Sequence, residues 1–247
     1  MTTENKAKPQ TSKLRKIYRR LSMTLGFAAV AYLLLLYYPQ PLFAYSTEYN
    51  GFKVYSREPI DQSMEKVLND AETRLRRSPL YDESVSRRVF FTGGFGMYAL
   101  LSNKAYRSFA NSVPFINNII VSKTDVPSDL VYVDRTYHNS RSLSGVIAHE
   151  VTHLLIRQRY GTIKAIMMPT WKNEGYCEYV AGDSTIPLEE GMRLWRENTS
   201  DDASYRYVKY HLMVKHLLEK ENMSVDDLLS RDLDEKEVAA RTFEDLE

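Results

Sequence analysis

Two histidines and a glutamate stand close together in an apolar stretch of the sequence. His149, Glu150 and His153 form the pattern H-E-x-x-H. On a helix, residues four apart share a face, so the two imidazoles would project side by side toward one metal ion. Glu150 would be rotated from His149 by about 100°, which places it beside the ion rather than on it. This is the arrangement that a zinc-dependent hydrolase needs.

A third candidate ligand lies in the next predicted helix. Glu174 stands within W-K-N-E-G-Y-C-E-Y, residues 171–179. Thr170 is the expected N-cap of this helix, and Gly182 is its expected end. A catalytic zinc ion takes three protein ligands and leaves a fourth position for water. The two histidines and Glu174 would complete such a set.

With these residues the chain resembles the gluzincin metallopeptidases, in which H-E-x-x-H is followed by a second helix that carries a ligand glutamate. In aminopeptidase-like members that helix reads N-E-G and then an aromatic or apolar residue, as residues 173–176 do here. The segment also resembles the small "peptidase MA-like" families, through Trp171 before this motif and Glu178-Tyr179 after it. The resemblance implies one bound Zn²⁺, with His149, His153 and Glu174 as its ligands, and a peptide or protein substrate.

The resemblance also implies roles for two further residues. Gluzincins commonly supply a tyrosine or histidine that hydrogen-bonds the oxyanion, and here Tyr207 is the first choice and Tyr205 the second. A tyrosine packed on a helix is the alternative. Glu178 follows Glu174 by one helical turn, so we expect its carboxylate at about 2.7–3.2 Å from a ring nitrogen of one of the histidines. Many gluzincins have Asp here, and the alternative for Glu178 is a solvated helix residue.

The other residues with reactive side chains give weaker signals. His138, His211 and His216 are expected to be surface or partly packed histidines. Cys177 is expected to be a small packed thiol, since a cysteine protease needs a paired histidine and an orienting group. The glycine cluster at 93–96 lacks the remainder of a nucleotide-binding fingerprint and indicates a turn.

Charge is distributed unevenly along the chain. Residues 1–20 carry a net charge of +6, residues 21–47 contain no Asp, Glu, Lys or Arg, and the remainder has 26 basic and 31 acidic residues, a net of −5. An acidic body argues against a nucleic-acid binder, because affinity for phosphates comes from clustered Lys and Arg. The single cysteine excludes an intramolecular disulfide.

The charge-free stretch predicts a membrane segment. Residues 21–38 are almost wholly apolar and, at 1.5 Å per helical residue, would span about 27 Å of a bilayer. With the basic tail 1–20 on the cytoplasmic side, the protein would be single-pass, with its catalytic domain periplasmic or extracellular. The alternative is a cleaved signal peptide and a secreted protein.

The remaining sequence predicts one α+β domain. Residues 39–50 are expected to be a linker and 51–247 the metallopeptidase domain. Strands are predicted near 52–55, 88–91, 116–121 and 130–133, and a helix over 59–77, with helices from 142 onward. This order indicates a β-α-β-β-type layer followed by a helical half that carries the zinc site. The strand at 130–133 is the candidate edge for holding an extended substrate.

These observations predict a membrane-anchored zinc peptidase that hydrolyses peptide bonds with a zinc-activated water and Glu150 as general base. The alternative is a non-catalytic, membrane-tethered binding module on a peptidase-like fold. Glu150 discriminates between them, because a structural metal site needs no general base beside it.

Overall fold

The structure, a computed structural model, describes residues 11–102, 107–197 and 203–245. It divides into two compact units, Met1–Pro41 and Leu42–Glu247. Half of the predicted basic tail, residues 1–10, lies outside the described residues. The second unit carries all of the predicted site residues and is a mixed α+β domain, as the sequence predicts.

Among its described residues, the first unit contains one long helix, α1 (Thr11–Tyr37). Within Leu14–Tyr37 an 18-residue window reaches a mean hydropathy of 1.6, so the helix is long and apolar enough to cross a membrane, and a signal sequence would have the same features. The helix ends before Pro39 and Pro41, whose rings would remove hydrogen bonds from a continuing helix.

The larger of two sheets opens the second unit. It has five strands in the order β1-β2-β3-β5-β4, with β2, β3 and β5 parallel and both edge strands antiparallel. The strands are β1 (Tyr45–Tyr49), β2 (Phe52–Ser56), β3 (Arg87–Phe91), β4 (Ala110–Ser112) and β5 (Asn118–Val121). Helix α2 (Met64–Leu75) connects β2 to β3, and the short α3 (Phe95–Leu101) follows β3. The predicted turn at 93–96 is thus partly the first turn of α3.

The predicted linker at 39–50 is wrong in its second half. Strand β1 forms a hairpin with β2 through Asn50 and Gly51, which both have positive φ, as a tight hairpin turn requires. The side chains of β1 are mostly exposed. An exposed edge strand carries no alternation of apolar and polar residues, and this is why the sequence pattern did not indicate it.

The second sheet is a three-stranded antiparallel meander. It consists of β6 (Lys123–Asp125), β7 (Leu130–Tyr132) and β8 (Ser140–Ser142), in that order. The prediction that residues 130–133 form a substrate-binding edge is wrong, because β7 is paired on both sides. The edge strand that reaches the candidate site is β4 of the larger sheet.

Helices form the rest of the domain. They are α4 (Leu143–Tyr160), α5 (Thr162–Met167), α6 (Thr170–Ala181), α7 (Leu188–Glu197), α8 (Ala203–Lys215) with a π-helical turn at His216–Lys220, α9 (Val225–Ser230) and α10 (Glu235–Glu244). The α4 helix begins after Ser142, whose hydroxyl accepts the Gly145 N–H at 2.9 Å, and ends before Gly161 at a φ of 85°. The start agrees with the prediction of helices from residue 142 onward.

Helix α6 packs between α4 and α8. A Cβ atom at Gly175 would lie 2.6 Å from the carbonyl oxygen of Tyr210 on α8, so only glycine permits this approach. The expected N-cap at Thr170 is wrong, because Thr170 is already the first helical residue and Pro169 precedes it without a side-chain cap. The helix ends at Gly182, in the left-handed conformation, as predicted.

Candidate functional site

Packing of α4 against α6 brings the predicted ligands together. The Nε2 atom of His149 lies 3.3 Å from Oε2 of Glu174, and Nε2 of His153 lies 3.6 Å from Oε1 of the same carboxylate. Both imidazoles thus turn the same ring nitrogen toward one acidic side chain. His149 is largely buried, whereas Glu174 remains partly open to a cleft.

These distances fit a tetrahedral zinc ion. Nitrogen and carboxylate ligands lie about 2.0–2.2 Å from zinc, so two of them at a tetrahedral angle are about 3.3–3.5 Å apart. The two observed separations are close to that range, at 3.3 Å from His149 Nε2 to Oε2 of Glu174 and 3.6 Å from His153 Nε2 to its other oxygen, Oε1. The donor set of two imidazoles and one carboxylate is also one that catalytic zinc sites use.

A second group that could hold a metal shares the two histidines. The ligand atoms of His149, His153 and Cys177 all lie within 4.8 Å of one another. The Cys177 sulfur, however, lies 3.3 Å from Nδ1 of His153, whereas Nε2 is the atom that approaches Glu174. Burial raises the pKa of the Cys177 thiol well above its ordinary value, and nearby carboxylates add to this. Nε2 of both histidines approaches the carboxylate of Glu174, and this geometry favours the set with Glu174.

Glu178 lies behind His149. Its Oε1 atom is 3.0 Å from Nδ1 of His149, within the range that the sequence analysis predicts, although the ring N–H does not point straight at the oxygen. The carboxylate is only 1% exposed. It also accepts hydrogen bonds from Arg141 and from the hydroxyl of Ser184, both at 2.8 Å. Arg141 therefore places a compensating charge beside a carboxylate that would otherwise be costly to bury.

His153 has a corresponding partner that the sequence analysis did not identify. Nδ1 of His153 lies 3.0 Å from Oδ1 of Asn173. The Asn173 amide is itself oriented, because its nitrogen donates to the carbonyl oxygen of Ala165 at 2.9 Å. A ring N–H that donates to Asn173 leaves Nε2 unprotonated and available to a metal. The signal was present in the N-E-G motif, whose asparagine is adjacent to the candidate ligand.

Glu150 contacts the edge of the larger sheet. The main-chain N–H of Ser112, the last residue of β4, donates to Oε2 of Glu150 at 2.7 Å. The guanidinium of Arg157, one turn after His153 on α4, donates to the carbonyl oxygen of the same serine at 3.0 Å. Neither Ser112 nor Arg157 stood out in the sequence, because the contact depends on a three-residue strand with no recognisable pattern.

The site attracts positive charge. Burial of His149 acts to lower its pKa, but Glu174 and Glu178 outweigh it and raise the pKa to about 10. Burial alone would raise the pKa of Glu174, but the imidazoles of His153 and His149 lower it well below its ordinary value. Burial alone would also raise the pKa of Glu178, but Arg141 and His149 outweigh this effect and lower the pKa to about 2. Both carboxylates are therefore ionised at neutral pH, and a cation between the imidazoles would be stabilised.

These residues line a cleft of about 560 Å³. It also contains Tyr207 of α8, which is 39% exposed, whereas Tyr205 packs against the hydrophobic core. Desolvation and the carboxylates of Glu174 and Glu178 raise the pKa of Tyr207, so its hydroxyl stays protonated and can donate. Of the two candidate tyrosines, Tyr207 is the one that faces the cleft.

The other histidines lie apart from this group. His138 is exposed, and the ring nitrogens of His216 lie 3.1 Å from carboxylate oxygens of Glu221 and Asp245. His211 is buried and packs edge-on against the ring of Tyr179, with the ring centroids 6.1 Å apart. His211 is therefore a core residue, and the prediction that it is partly packed understated its burial.

No model of a known protein family matches this chain, and no curated protein matches its sequence.

Proposed function

We propose that this protein is a membrane-anchored zinc peptidase of the gluzincin type, with the domain from Leu42 onward exported. One observation carries the proposal. The two Nε2 atoms of the H-E-x-x-H histidines converge on the carboxylate of Glu174, with Glu150 beside them, inside a cleft. Two imidazoles, a carboxylate ligand and an acidic residue adjacent to them are what metal-assisted hydrolysis requires.

His149, His153 and Glu174 would hold the ion. Bound zinc supplies Lewis-acid polarisation of the scissile carbonyl and makes water more acidic. Glu150 takes the proton from the attacking water and returns it to the leaving amine. Its Oε2 atom accepts the Ser112 N–H, which leaves Oε1 to exchange this proton. Tyr207 donates its hydroxyl proton in a hydrogen bond to the oxyanion that develops on the substrate.

The membrane topology is part of the same proposal. The basic tail stays on the cytoplasmic side and α1 is retained as the anchor, which is supported by the net charge of +6 in residues 1–20 and by the charge-free apolar stretch that follows at 21–38. N-terminal sequencing of the mature protein tests the retention of α1. A mature chain that starts near Tyr45 would show cleavage and a secreted protein instead.

Metal analysis and a peptide-library digest of the full chain in detergent micelles test the activity. We expect about one zinc ion per chain and cleavage of library peptides. Glu150→Gln should retain zinc and lose hydrolysis, because an amide cannot accept the proton of water. Glu190→Gln, an exposed position on α7, is the matched control and should behave as the wild type.

Two results would contradict the proposal. A protein that binds zinc but cleaves no peptide would be the non-catalytic binding module. Turnover by Glu150→Gln at the wild-type rate would remove Glu150 from the mechanism.

A further inference from the structure

We propose that Arg157 is a positioning residue for Glu150, acting through the end of strand β4. This inference rests on the proposed function, since it concerns the orientation of the general base. It does not depend on which peptide is cleaved. The chain of contacts runs from the guanidinium of Arg157 to the main chain of Ser112, and from the N–H of Ser112 to the carboxylate of Glu150.

Arg157 is bound on two sides. Its Nη2 and Nη1 atoms donate to the carbonyl oxygens of Ser112 and Val113, at 3.0 and 3.2 Å, and Nη2 also contacts the Ser112 hydroxyl. Its Nε atom donates to the carbonyl oxygen of His153 at 3.1 Å. The side chain is 9% exposed. One planar group thus fixes the end of β4 to the helix that carries the H-E-x-x-H residues.

The geometry of β4 orients the N–H and C=O of Ser112 toward the site. The N–H of Val113 donates to Asn118 at 3.1 Å, and the carbonyl of Phe109 accepts the N–H of Ser122, so these neighbouring groups face the β5 side. Main-chain groups alternate in direction along a strand. The N–H and C=O of Ser112 therefore both point away from β5, the first to Glu150 and the second to Arg157.

A buried guanidinium is a costly way to bind three carbonyl groups. Burial lowers the pKa of Arg157, and the negative charge of Glu150 acts against this. The residue that Arg157 helps to orient is thus also a source of its electrostatic stabilisation. A carboxylate that must accept a proton from a particular water gains rate from being held in one orientation, and a misplacement of about 1 Å costs about 100-fold.

Steady-state kinetics of Arg157→Ala test the role. We expect kcat to fall about 10- to 100-fold, with a smaller change in KM and an unchanged zinc content, because the side chains of the three metal ligands stay in place. Free guanidinium added to this variant should restore part of kcat by occupying the vacated position. Arg159→Ala is the matched control, since Arg159 is exposed and pairs with Asp226 away from the cleft.

A second pair of variants keeps the test decisive if Arg157→Ala does not fold. Ser112→Pro removes the N–H that reaches Glu150 together with the hydroxyl that Arg157 contacts. Proline is tolerated at edge-strand positions whose N–H faces away from the sheet. We expect Ser112→Pro to lower kcat like Arg157→Ala. Ser112→Ala removes the same hydroxyl but keeps the N–H, so its kcat should stay well above that of Ser112→Pro.

Hydrogen exchange gives a readout that does not involve activity. In Glu150→Ala the Ser112 amide should exchange at least about tenfold faster than in wild type, while the Val113 amide, bonded to Asn118, stays protected. The positioning role is overturned if Arg157→Ala and Ser112→Pro keep the wild-type kcat in an active enzyme, or if the Ser112 amide is unaffected by the loss of Glu150. An inactive wild-type protein would instead overturn the proposed function, and the positioning role with it.

Discussion

His149 and His211 are both buried, yet their surroundings give them opposite properties. His149, on α4, is 7% exposed and faces two carboxylates, which raise its pKa to about 10. His211, on α8, is 3% exposed, and its Nδ1 has no hydrogen-bond partner among the described residues. Burial lowers the pKa of His211 to about 4.

The difference shows that burial alone does not make a histidine a candidate ligand. Around His211 the charges of Glu178, Asp183, Arg141 and Lys215 oppose one another, so desolvation decides its state. Around His149 the carboxylates of Glu174 and Glu178 lie on two sides of the ring, and any cation placed there is stabilised. The arrangement of acidic side chains, rather than depth, distinguishes the two regions.

Removal of a ligand should give the largest effect. We expect His153→Ala and Glu174→Ala to weaken zinc binding by more than about 100-fold. This exceeds the loss that is typical when a residue that only hydrogen-bonds a metal ligand is removed. His211→Asn should retain the wild-type affinity. Zinc titration against a competing chelator measures all three. Equal zinc affinity in Glu174→Ala and wild type would remove Glu174 from the ligand set and favour Cys177.

Substitution of Tyr207 tests whether the cleft side of α8 takes part in the chemistry. We expect Tyr207→Phe to lower kcat about 100- to 1,000-fold, the usual loss when one oxyanion donor is removed. Tyr205→Phe is the matched control, because Tyr205 packs against the core. Similar rates for both variants would show that Tyr207 is a packing residue.

His211, on the core side of α8, should make the free energy of unfolding depend on pH. Above pH 6.5, His211 is neutral in both the folded and the unfolded chain. Between pH 6.5 and about 4 only the unfolded chain takes up the proton, so the free energy of unfolding should fall by about 3 kcal/mol and then level off. Urea unfolding across this range measures the effect. The dependence of the free energy of unfolding on pH should be weaker in His211→Asn. An unchanged dependence would contradict the lowered pKa of His211.

The smallest effect should come from Glu178. Its removal leaves the three ligands in place but takes away the carboxylate at 3.0 Å from His149. We expect Glu178→Ala to weaken zinc affinity or activity by about 10- to 100-fold. Glu178→Gln, which keeps the shape of the side chain, should lose less. A wild-type zinc affinity and rate in Glu178→Ala would mean that Glu178 serves the fold through Arg141.

Local patterns predicted the helical part of the site well. The α4 helix follows from the apolar spacing after Ser142, and the position of Glu178 one turn after Glu174 follows from helical periodicity. The mixed α+β class follows from the order of short apolar runs and long amphipathic ones. The two helical features are each encoded within about 20 neighbouring residues.

Contacts between distant segments could not be predicted in the same way. Ser112 reaches Glu150 across 38 positions, and Arg141 reaches Glu178 across 37. The strand β4 has three residues and no apolar alternation, and β1 is exposed, so neither differs from a loop in sequence. The prediction of 130–133 as the substrate edge was wrong for the same reason. Which strands lie beside a given strand depends on pairing with other segments, and β7 pairs with both β6 and β8.

The buried thiol of Cys177 has a consequence for the environments that the fold tolerates. It is the only cysteine of the chain and is fully shielded from solvent. A domain without a disulfide gains no stability from an oxidising compartment, and a shielded thiol reacts slowly with peroxide or with another thiol. The packed core therefore folds alike under reducing and oxidising conditions, without the help of a disulfide oxidoreductase.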